Sequence, residues 1–233
     1  AVKILGDQFV LGRTIKEAMS RAAAMEEEGY RFSYDMLGEA AKTAKGAESY
    51  FERYMTAIEE VGRWSGKARQ LTPDALMQRP SLSIKLSALH PRFEPGKEAL
   101  LARELTPRVL TLIEAARAHE LSITLDAEEQ DRLDLTLGLF EALYADQRLA
   151  GWTGLGIAVQ AYGRRALPVL RWLKRLAAQG KRRIPVRLVK GAYWDSEIKW
   201  AQERGLADYP VFSRKVFTDV SWLAAMRTLL SAP

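Results

Sequence analysis

The sequence predicts an α/β fold, specifically a distorted (β/α)8 barrel of the TIM type, of which this chain supplies about the first five βα units and an N-terminal helix. Short apolar segments alternate with amphipathic ones, as in a parallel sheet covered by helices. A polar residue lies late in four apolar segments: Lys85, Asp126, Gln160 and Arg187. No GxGxxG turn is present, which favours a barrel with chemistry at many strand ends over a doubly wound sheet.

Helix and strand signals follow one another in a regular order. Thr14 and Glu17 form a capping box for a helix that ends near Gly29. We therefore assign residues 1–29 to an N-terminal helical segment and residues 30–233 to a barrel that is C-terminally incomplete, because five strands cannot close it. Apolar segments predict strands at residues 30–37, 81–87, 122–128, 155–162 and 184–190. Helical periodicity predicts helices at residues 47–64, 98–119, 131–145, 171–183, 196–204 and 214–230, with a surface loop over residues 65–80.

Composition narrows the classes of function. The 233 residues include no cysteine and two histidines, so thiol chemistry is excluded and a metal site is not expected. The net charge is +6, but the densest basic stretch, residues 171–183, has leucines at helical spacing and is interpreted as a solvated helix face, so nucleic-acid binding is not expected. No signal peptide or membrane span is evident, which favours a cytoplasmic protein.

The stretch from residue 183 to residue 199 is the most informative part of the chain. An apolar strand there carries Arg187 and Lys190 and is followed by Gly191, two aromatic residues and a helix start. Asp195 or Ser196 is the expected cap of that helix. Cations, a glycine turn and a helix N-terminus suit a ligand that combines phosphate with a ring.

The four strand-end residues each suit a chemical role. Lys85 is a compact cation for a substrate carboxylate, and Asp126 can accept hydrogen bonds from a substrate amine or a cofactor. Gln160 both donates and accepts, which suits the edge of a heterocycle, and Arg187 can stabilise electron density that develops on a ring. The alternative interpretation is a salt-bridged polar layer that seals the barrel without reacting.

Three segments resemble the proline dehydrogenase family: residues 83–92, residues 126–129 and residues 187–199. Residues 34–40 and 218–221 support the same match. The resemblance extends over nearly the whole chain and is strongest to the proline dehydrogenase module of the bifunctional bacterial flavoproteins of the proline utilisation A type.

The resemblance implies a barrel that binds FAD and oxidises L-proline to Δ1-pyrroline-5-carboxylate by hydride transfer to flavin N5. It implies that electrons pass to a membrane quinone and that the enzyme is cytoplasmic, with peripheral contact at the inner face of the membrane. An aldehyde dehydrogenase half of the same protein is the expected partner.

The resemblance also implies roles for individual residues. Arg187 and Asp126 match catalytic positions. Lys85, Asp126 and Glu39 match substrate-binding positions, and Glu39 matches a gating glutamate that pairs with an arginine of the family's final helix. The positions that match cofactor-contacting residues are Asp126, Ala158, Gln160, Arg187, Val189, Lys190, Gly191, Trp194, Val211, Phe212 and Ser213.

Two alternatives remain open at this stage. The first is another flavin-dependent barrel, such as one of the methylenetetrahydrofolate reductase type, which would hold a flavin that proline does not reduce. The second is a non-catalytic module whose basic face binds nucleic acid or anionic lipid, and this would show steeply salt-dependent binding without a flavin.

Overall fold

The computed structural model describes residues 10–231 and shows one parallel five-stranded sheet that forms a half-barrel covered by helices. The strands are β1 Ser33–Asp35, β2 Ser81–Ile84, β3 Ser122–Leu125, β4 Leu155–Gln160 and β5 Val186–Val189. They lie side by side in chain order, and each neighbouring pair is parallel. The predicted βα repeat and the distorted barrel class are therefore confirmed. Residues 1–9 of the predicted N-terminal segment and residues 232–233 of the predicted barrel lie outside the described residues.

Helices separate the strands and cover one face of the sheet. They are α1 Ile15–Glu27, α2 Ala44–Ser65, α3 Pro73–Met77, α4 Leu86–Leu89, α5 Glu98–Ala118, α6 Leu133–Ala145, α7 Ala166–Gly180, α8 Trp194–Glu203 and α9 Lys215–Leu230. Short 3-10 turns at Gln130–Arg132 and Gln147–Leu149 flank α6. Within residues 10–231, none of the helices combines the length and the apolar character needed to cross a membrane.

Successive side chains along each strand point alternately to the helix-covered core and to the interior of the half-barrel. Ile84, Ile123 and Ile157 are buried in the hydrophobic cluster beneath the helices. The strand residues that alternate with these isoleucines are small or polar. On β4 and β5, Ala158 lies in register with Arg187. Because successive side chains of a strand point to opposite faces, the polar residues share the interior face of the half-barrel.

Strand β2 is shorter than predicted because its sheet pairing ends at Ile84. The chain then turns into α4, where the backbone N–H of Ser87 donates to Glu128 Oε1 at 3.0 Å. An N–H that is used in this way cannot continue the sheet. Lys85 therefore lies just beyond the strand rather than within it.

The predicted loop over residues 65–80 contains an unpredicted helix. Helix α3 begins after Thr72, whose hydroxyl accepts from the N–H of Ala75 at 3.1 Å, and it buries Leu76. The predicted loop was therefore wrong at this point, where a capping residue and a proline at the helix start were sufficient signals.

The basic segment also differs from its prediction. Helix α7 begins earlier, at Ala166, and the segment does not expose all of its cations. Arg182 is buried, donates to the carbonyls of Tyr144 and Leu149, and stacks 3.8 Å from the centre of the Tyr144 ring. A buried guanidinium is tolerated here because two backbone carbonyl groups, one in the last turn of α6 and one in the 3-10 turn after it, accept its hydrogen bonds.

Core packing yields a first prediction. Leu105 is fully buried in α5, so Leu105→Ala should lower the free energy of unfolding by about 2–5 kcal/mol. The matched control is Leu230→Ala, because Leu230 is also helical but 77% exposed. Denaturant unfolding of both variants measures the difference, and equal losses would contradict the described core.

Candidate active site

Four alternating charges cross the carboxyl end of the sheet from β1 to β5. Lys85 Nζ donates to Asp35 Oδ1 at 2.7 Å and to Asp126 Oδ2 at 2.8 Å. Arg187 donates to the other oxygen, Asp126 Oδ1, and to the hydroxyl of Ser83. The arrangement is an unbroken row of ion pairs, Asp35–Lys85–Asp126–Arg187, which we call the charge row. It brings together three of the four predicted strand-end residues and adds Asp35.

Burial and pairing set the electrostatics of the charge row. The Asp126 side chain is only 6% exposed and has a cation on each oxygen, which offsets the cost of burying its charge. Burial alone would lower the pKa of Lys85, but hydrogen bonds and charges from Asp126 and then Asp35 outweigh it, and the pKa is raised. Lys85 is therefore a stable cation that retains one N–H for a ligand, because an ammonium has three.

Gln160 does not join the charge row. Its Nε2 donates to the backbone carbonyl of Glu128 at 2.8 Å, and its Oε1 accepts from the N–H of Ala192 at 3.1 Å. The side-chain amide thus ties the chain after β3 to the chain after β5. One N–H of Gln160 remains for the predicted contact with a heterocycle.

Glu128 is a buried carboxylate that the sequence interpretation did not single out. Besides its bond from Ser87, its Oε2 lies 3.3 Å from the guanidinium of Arg132. Ser87 in turn accepts the N–H of Ala40 on its hydroxyl at 3.0 Å and that of Ala41 on its carbonyl at 2.8 Å. Burial raises the pKa of Glu128, against the opposing effects of Ser87 and Arg132. Glu128 therefore anchors the loop that carries Glu39.

Glu39 contacts a residue from the far edge of the sheet. Tyr193, which precedes α8, donates its hydroxyl to Glu39 Oε2 at 2.8 Å. Burial and then the bond to Glu39 raise the pKa of Tyr193. The bridge joins the loops after β1 and β5, the first and last strands of the described sheet. Tyr193 lies in the segment 187–199 but is not among the predicted site residues, because its partner lies 154 positions away.

The end of β5 is shaped by Gly191. Its φ is +138°, and a side chain on its Cα would overlap the ring of Tyr162. Only glycine combines this φ with so close an approach. The loop after Val189 is therefore pressed against Tyr162, which places Lys190 and Trp194 at the edge of the site.

Cations and aromatic rings surround the start of α9. Lys190 and Lys215 both donate to Asp219, at 2.6 and 2.7 Å. Trp194 Nε1 donates to the carbonyl of Phe212 at 2.9 Å, which holds the loop before α9 against α8. The other predicted cofactor positions line the same end of the sheet: Ala158 and Val189 on the strands, and Val211 and Ser213 in the loop before α9.

The predicted cap of α8 was wrong. The helix begins at Trp194, one residue before Asp195, and its cap residue Tyr193 makes no side-chain capping bond. Glu197 is buried and accepts the N–H of Gln130 at 2.6 Å, and burial raises the pKa of Glu197. Of the two acidic residues in this first turn, Glu197 therefore binds the loop after β3 rather than facing solvent.

The donor set fits a ligand with a flat polar ring and a diphosphate. Arg187 offers a cation on β5, Trp194 offers an exposed indole at the start of α8, and Lys190 and Lys215 offer two further cations around Asp219. Helix α9 has no acidic residue in its first turn and no side-chain cap, and its start therefore suits an anion, although the N–H of Phe217 already donates to the carbonyl of Arg214 at 3.1 Å. Among residues 10–231 there is no group of three His, Asp or Glu side chains that could hold a metal ion.

Comparison with known proteins identifies relatives along the whole chain. A family model described as proline dehydrogenase matches residues 18–233. The bifunctional protein PutA of Escherichia coli is 48% identical over all 233 residues, which span 17% of its length. The proline dehydrogenase of Deinococcus radiodurans is 27% identical over 190 residues, which are 81% of this chain and 53% of that protein.

Solved structures agree with the sequence comparison. A crystal structure of a mutant proline utilization A from Bradyrhizobium japonicum matches with a TM-score of 0.83 and 48% identity, over 95% of this chain and 22% of that one. Proline utilization A from Bdellovibrio bacteriovorus, inactivated by N-propargylglycine, matches with a TM-score of 0.88 and 25% identity, over 96% and 24% of the two chains. This chain thus spans a minor part of each bifunctional relative.

The raised pKa of Glu128 predicts a pH effect on stability. The pKa of Glu128 is higher in the folded state than in the unfolded state. Its contribution to the free energy of unfolding is therefore complete below about pH 4.5 and is lost as the pH rises through the folded-state pKa. Glu128→Gln keeps an acceptor for Ser87 but cannot titrate. The variant should therefore become progressively more stable relative to wild type as the pH rises from 4 to 8.

Thermal unfolding across this pH range checks the prediction. Glu203→Gln is the control, since Glu203 is an exposed glutamate on α8. If Glu128→Gln instead became less stable relative to wild type as the pH rises, Glu128 would be stabilised as an anion.

Proposed function

The chain belongs to the proline dehydrogenase family, and we propose that its site carries out the FAD-dependent oxidation of L-proline to Δ1-pyrroline-5-carboxylate. The observation that carries the proposal is the charge row, which supplies a cation with a free N–H beside a buried carboxylate. L-proline loses two electrons and two protons in this reaction, as a hydride from ring carbon and a proton from nitrogen.

Lys85 is the proposed anchor of the substrate carboxylate. Its remaining N–H can donate to that group, while Asp126 and Asp35 hold the ammonium in place. Asp126 offers negative charge to the substrate amine. The Glu39–Tyr193 bridge lies where it can close the site, and Glu39 would have to exchange Tyr193 for an arginine to act as the predicted gate.

The residues at the ends of β4 and β5 are proposed to hold FAD, whose flavin accepts the hydride at N5 when bound. Arg187 would lie at the ring edge, with Gln160 and Trp194 orienting the ring. Lys190 and the start of α9 suit the diphosphate, and Gly191 leaves room for the chain to turn beside it. The remaining proposed contacts are Asp126, Ala158, Val189, Val211, Phe212 and Ser213.

The proposal extends to the protein's surroundings. The bifunctional relatives support an aldehyde dehydrogenase half as partner. Family membership supports a membrane quinone as final electron acceptor, and hence a cytoplasmic enzyme with peripheral contact at the inner face of the membrane.

Flavin absorbance tests the function directly. The longest natural polypeptide that carries this chain should purify yellow, and anaerobic L-proline should bleach its visible bands. Cyclopentanecarboxylate, which has no amine, is the control that should leave them unchanged. A tightly bound flavin that proline does not bleach would favour another flavin barrel, and a colourless protein with salt-dependent DNA retention would favour a binding module.

Two variants, one within β5 and one at the residue after it, separate tuning of the flavin potential from retention of the flavin. Arg187→Met should lower the flavin reduction potential by tens of millivolts, because a cation at the ring edge favours the more negative reduced state. Lys190→Ala should instead weaken FAD binding by roughly ten- to a hundredfold in both redox states, because phosphate charge does not change on reduction.

Titration of FAD affinity and of the potential in both variants decides between these roles. Lys199→Ala, which removes an exposed lysine of α8, is the control for loss of a positive charge. If Arg187→Met sheds flavin with its potential unmoved, the assignment of the two residues is reversed.

A further inference from the structure

We propose that Tyr54 is a positioning residue of the substrate site, whose buried hydroxyl holds the backbone of Lys85 at the end of β2 and thereby sets where the Lys85 ammonium lies. This inference rests on the proposed function, in which that ammonium binds the substrate carboxylate. Tyr54 lies in α2 and has no exposed surface, so it acts only through its neighbours. Neither the strand-end pattern nor the family resemblance gave Tyr54 a role in the site.

The pairing of β1 with β2 stops before it reaches Lys85. The N–H of Ser81 donates to the carbonyl of Phe32 at 3.0 Å, and alternate N–H groups along a strand point to the same neighbouring strand. In steps of two residues, the N–H of Lys85 is the third of this series and would require the carbonyl of Met36. Strand β1, however, ends at Asp35. The N–H of Lys85 therefore needs an acceptor from another element.

Tyr54 supplies this acceptor from α2. The N–H of Lys85 donates to the Tyr54 hydroxyl at 3.1 Å, although the two residues are 31 positions apart. Burial raises the pKa of the Tyr54 hydroxyl, and the bond from the Lys85 N–H opposes this effect. A buried N–H without an acceptor is costly, so the bond keeps the backbone of Lys85 against α2. The hydroxyl thus replaces the strand that has ended.

The other backbone contacts near Lys85 come from different directions. The N–H of Asp126 donates to the carbonyl of Ile84 at 2.9 Å, which holds the side towards β3. The N–H of Ala88 donates to the carbonyl of Lys85 at 3.2 Å, which begins the turn into α4. On the side towards β1, the hydroxyl of Tyr54 is the contact of the Lys85 N–H. Its loss would therefore allow Lys85 to shift, and the ammonium would move with the backbone relative to Asp126.

Tyr54→Phe deletes the hydroxyl and keeps the ring that fills the core. The test uses the flavin-loaded, longest natural polypeptide and cyclopentanecarboxylate, a carboxylate without an amine to oxidise. We expect its dissociation constant, measured by isothermal titration, to rise about three- to thirtyfold, because the orphaned N–H displaces Lys85. With L-proline, KM should rise by a similar factor, whereas kcat and FAD affinity should each change by less than about twofold.

A double-mutant cycle separates positioning from a general structural role. Lys85→Met removes the ammonium but retains the backbone N–H that Tyr54 binds. If Tyr54 acts through the ammonium, Tyr54→Phe should weaken the ligand no further in the Lys85→Met background, so that the two effects are not additive. Additive effects would show that Tyr54 reaches the site by another route and would overturn the proposal.

The matched control is Tyr144→Phe. Tyr144 is also a buried tyrosine, and its hydroxyl donates to the carbonyl of Arg182 at 2.8 Å, near the start of β5 rather than at the strand ends. This variant should lose stability but keep the wild-type affinity for cyclopentanecarboxylate. Thermal unfolding of each variant verifies that it is folded. Equal weakening of the ligand by both substitutions would indicate general loosening of the core and would overturn the proposal.

Hydrogen exchange tests the bond without any substitution. In wild type the amide of Lys85 should exchange slowly, although β1 has already ended, and rapid exchange would overturn the proposal. Absence of cyclopentanecarboxylate binding to wild type would refute the role of Lys85 and this inference with it. Failure of proline to bleach the wild-type flavin would refute the proposed function alone, because binding and exchange are measured without turnover.

Discussion

The pairing of Asp126 is the constraint on which the rest of the site depends. A carboxylate that is almost fully buried is tolerated only if cations meet its oxygens, and Lys85 and Arg187 do so from opposite sides. This requirement explains why the two cations come from strands on either side of β3. It also explains the small residue between them, because Ala158 on β4 leaves space for Arg187 to reach across to Asp126.

A second network fixes the loops around this row. Glu128 accepts Ser87 with its side chain and Gln160 with its backbone, so one position after β3 fastens the chain after β2 and, through Gln160, the chain after β5. Glu197 adds a further tie to the loop after β3. Because each of these polar groups is satisfied by backbone rather than by solvent, the loops are held in one arrangement. The Glu39–Tyr193 bridge follows from that arrangement.

The sequence was sufficient for the order and type of the strands because short apolar runs alternate regularly with longer amphipathic segments. It was insufficient for their ends, since β2 stops where Ser87 finds Glu128, 41 positions away, and no local pattern encodes that partner. The strand-end rule found Lys85, Asp126 and Arg187 but was not applied to β1, where Asp35 obeys it equally. The predicted exposure of Arg182 was wrong for a related reason. Its neighbours in the sequence are solvated cations, and only the carbonyls of residues distant in the sequence allow Arg182 to be buried.

The two sets of cations at this end of the sheet act in different dielectric surroundings. Lys85 and Asp126 have side chains that are 14% and 6% exposed, so a change of one unit charge beside them is weakly screened. Lys190 and Lys215 share Asp219 near the surface, where water and salt reduce each interaction and several contacts must combine to hold a ligand. The proposed binding of a small substrate therefore depends on the charge row, whereas the proposed binding of a large anionic group depends on the exposed cations and the start of α9. The charge row spans β1 to β5 at the carboxyl end of the sheet, and the pair of lysines on Asp219 lies beyond β5.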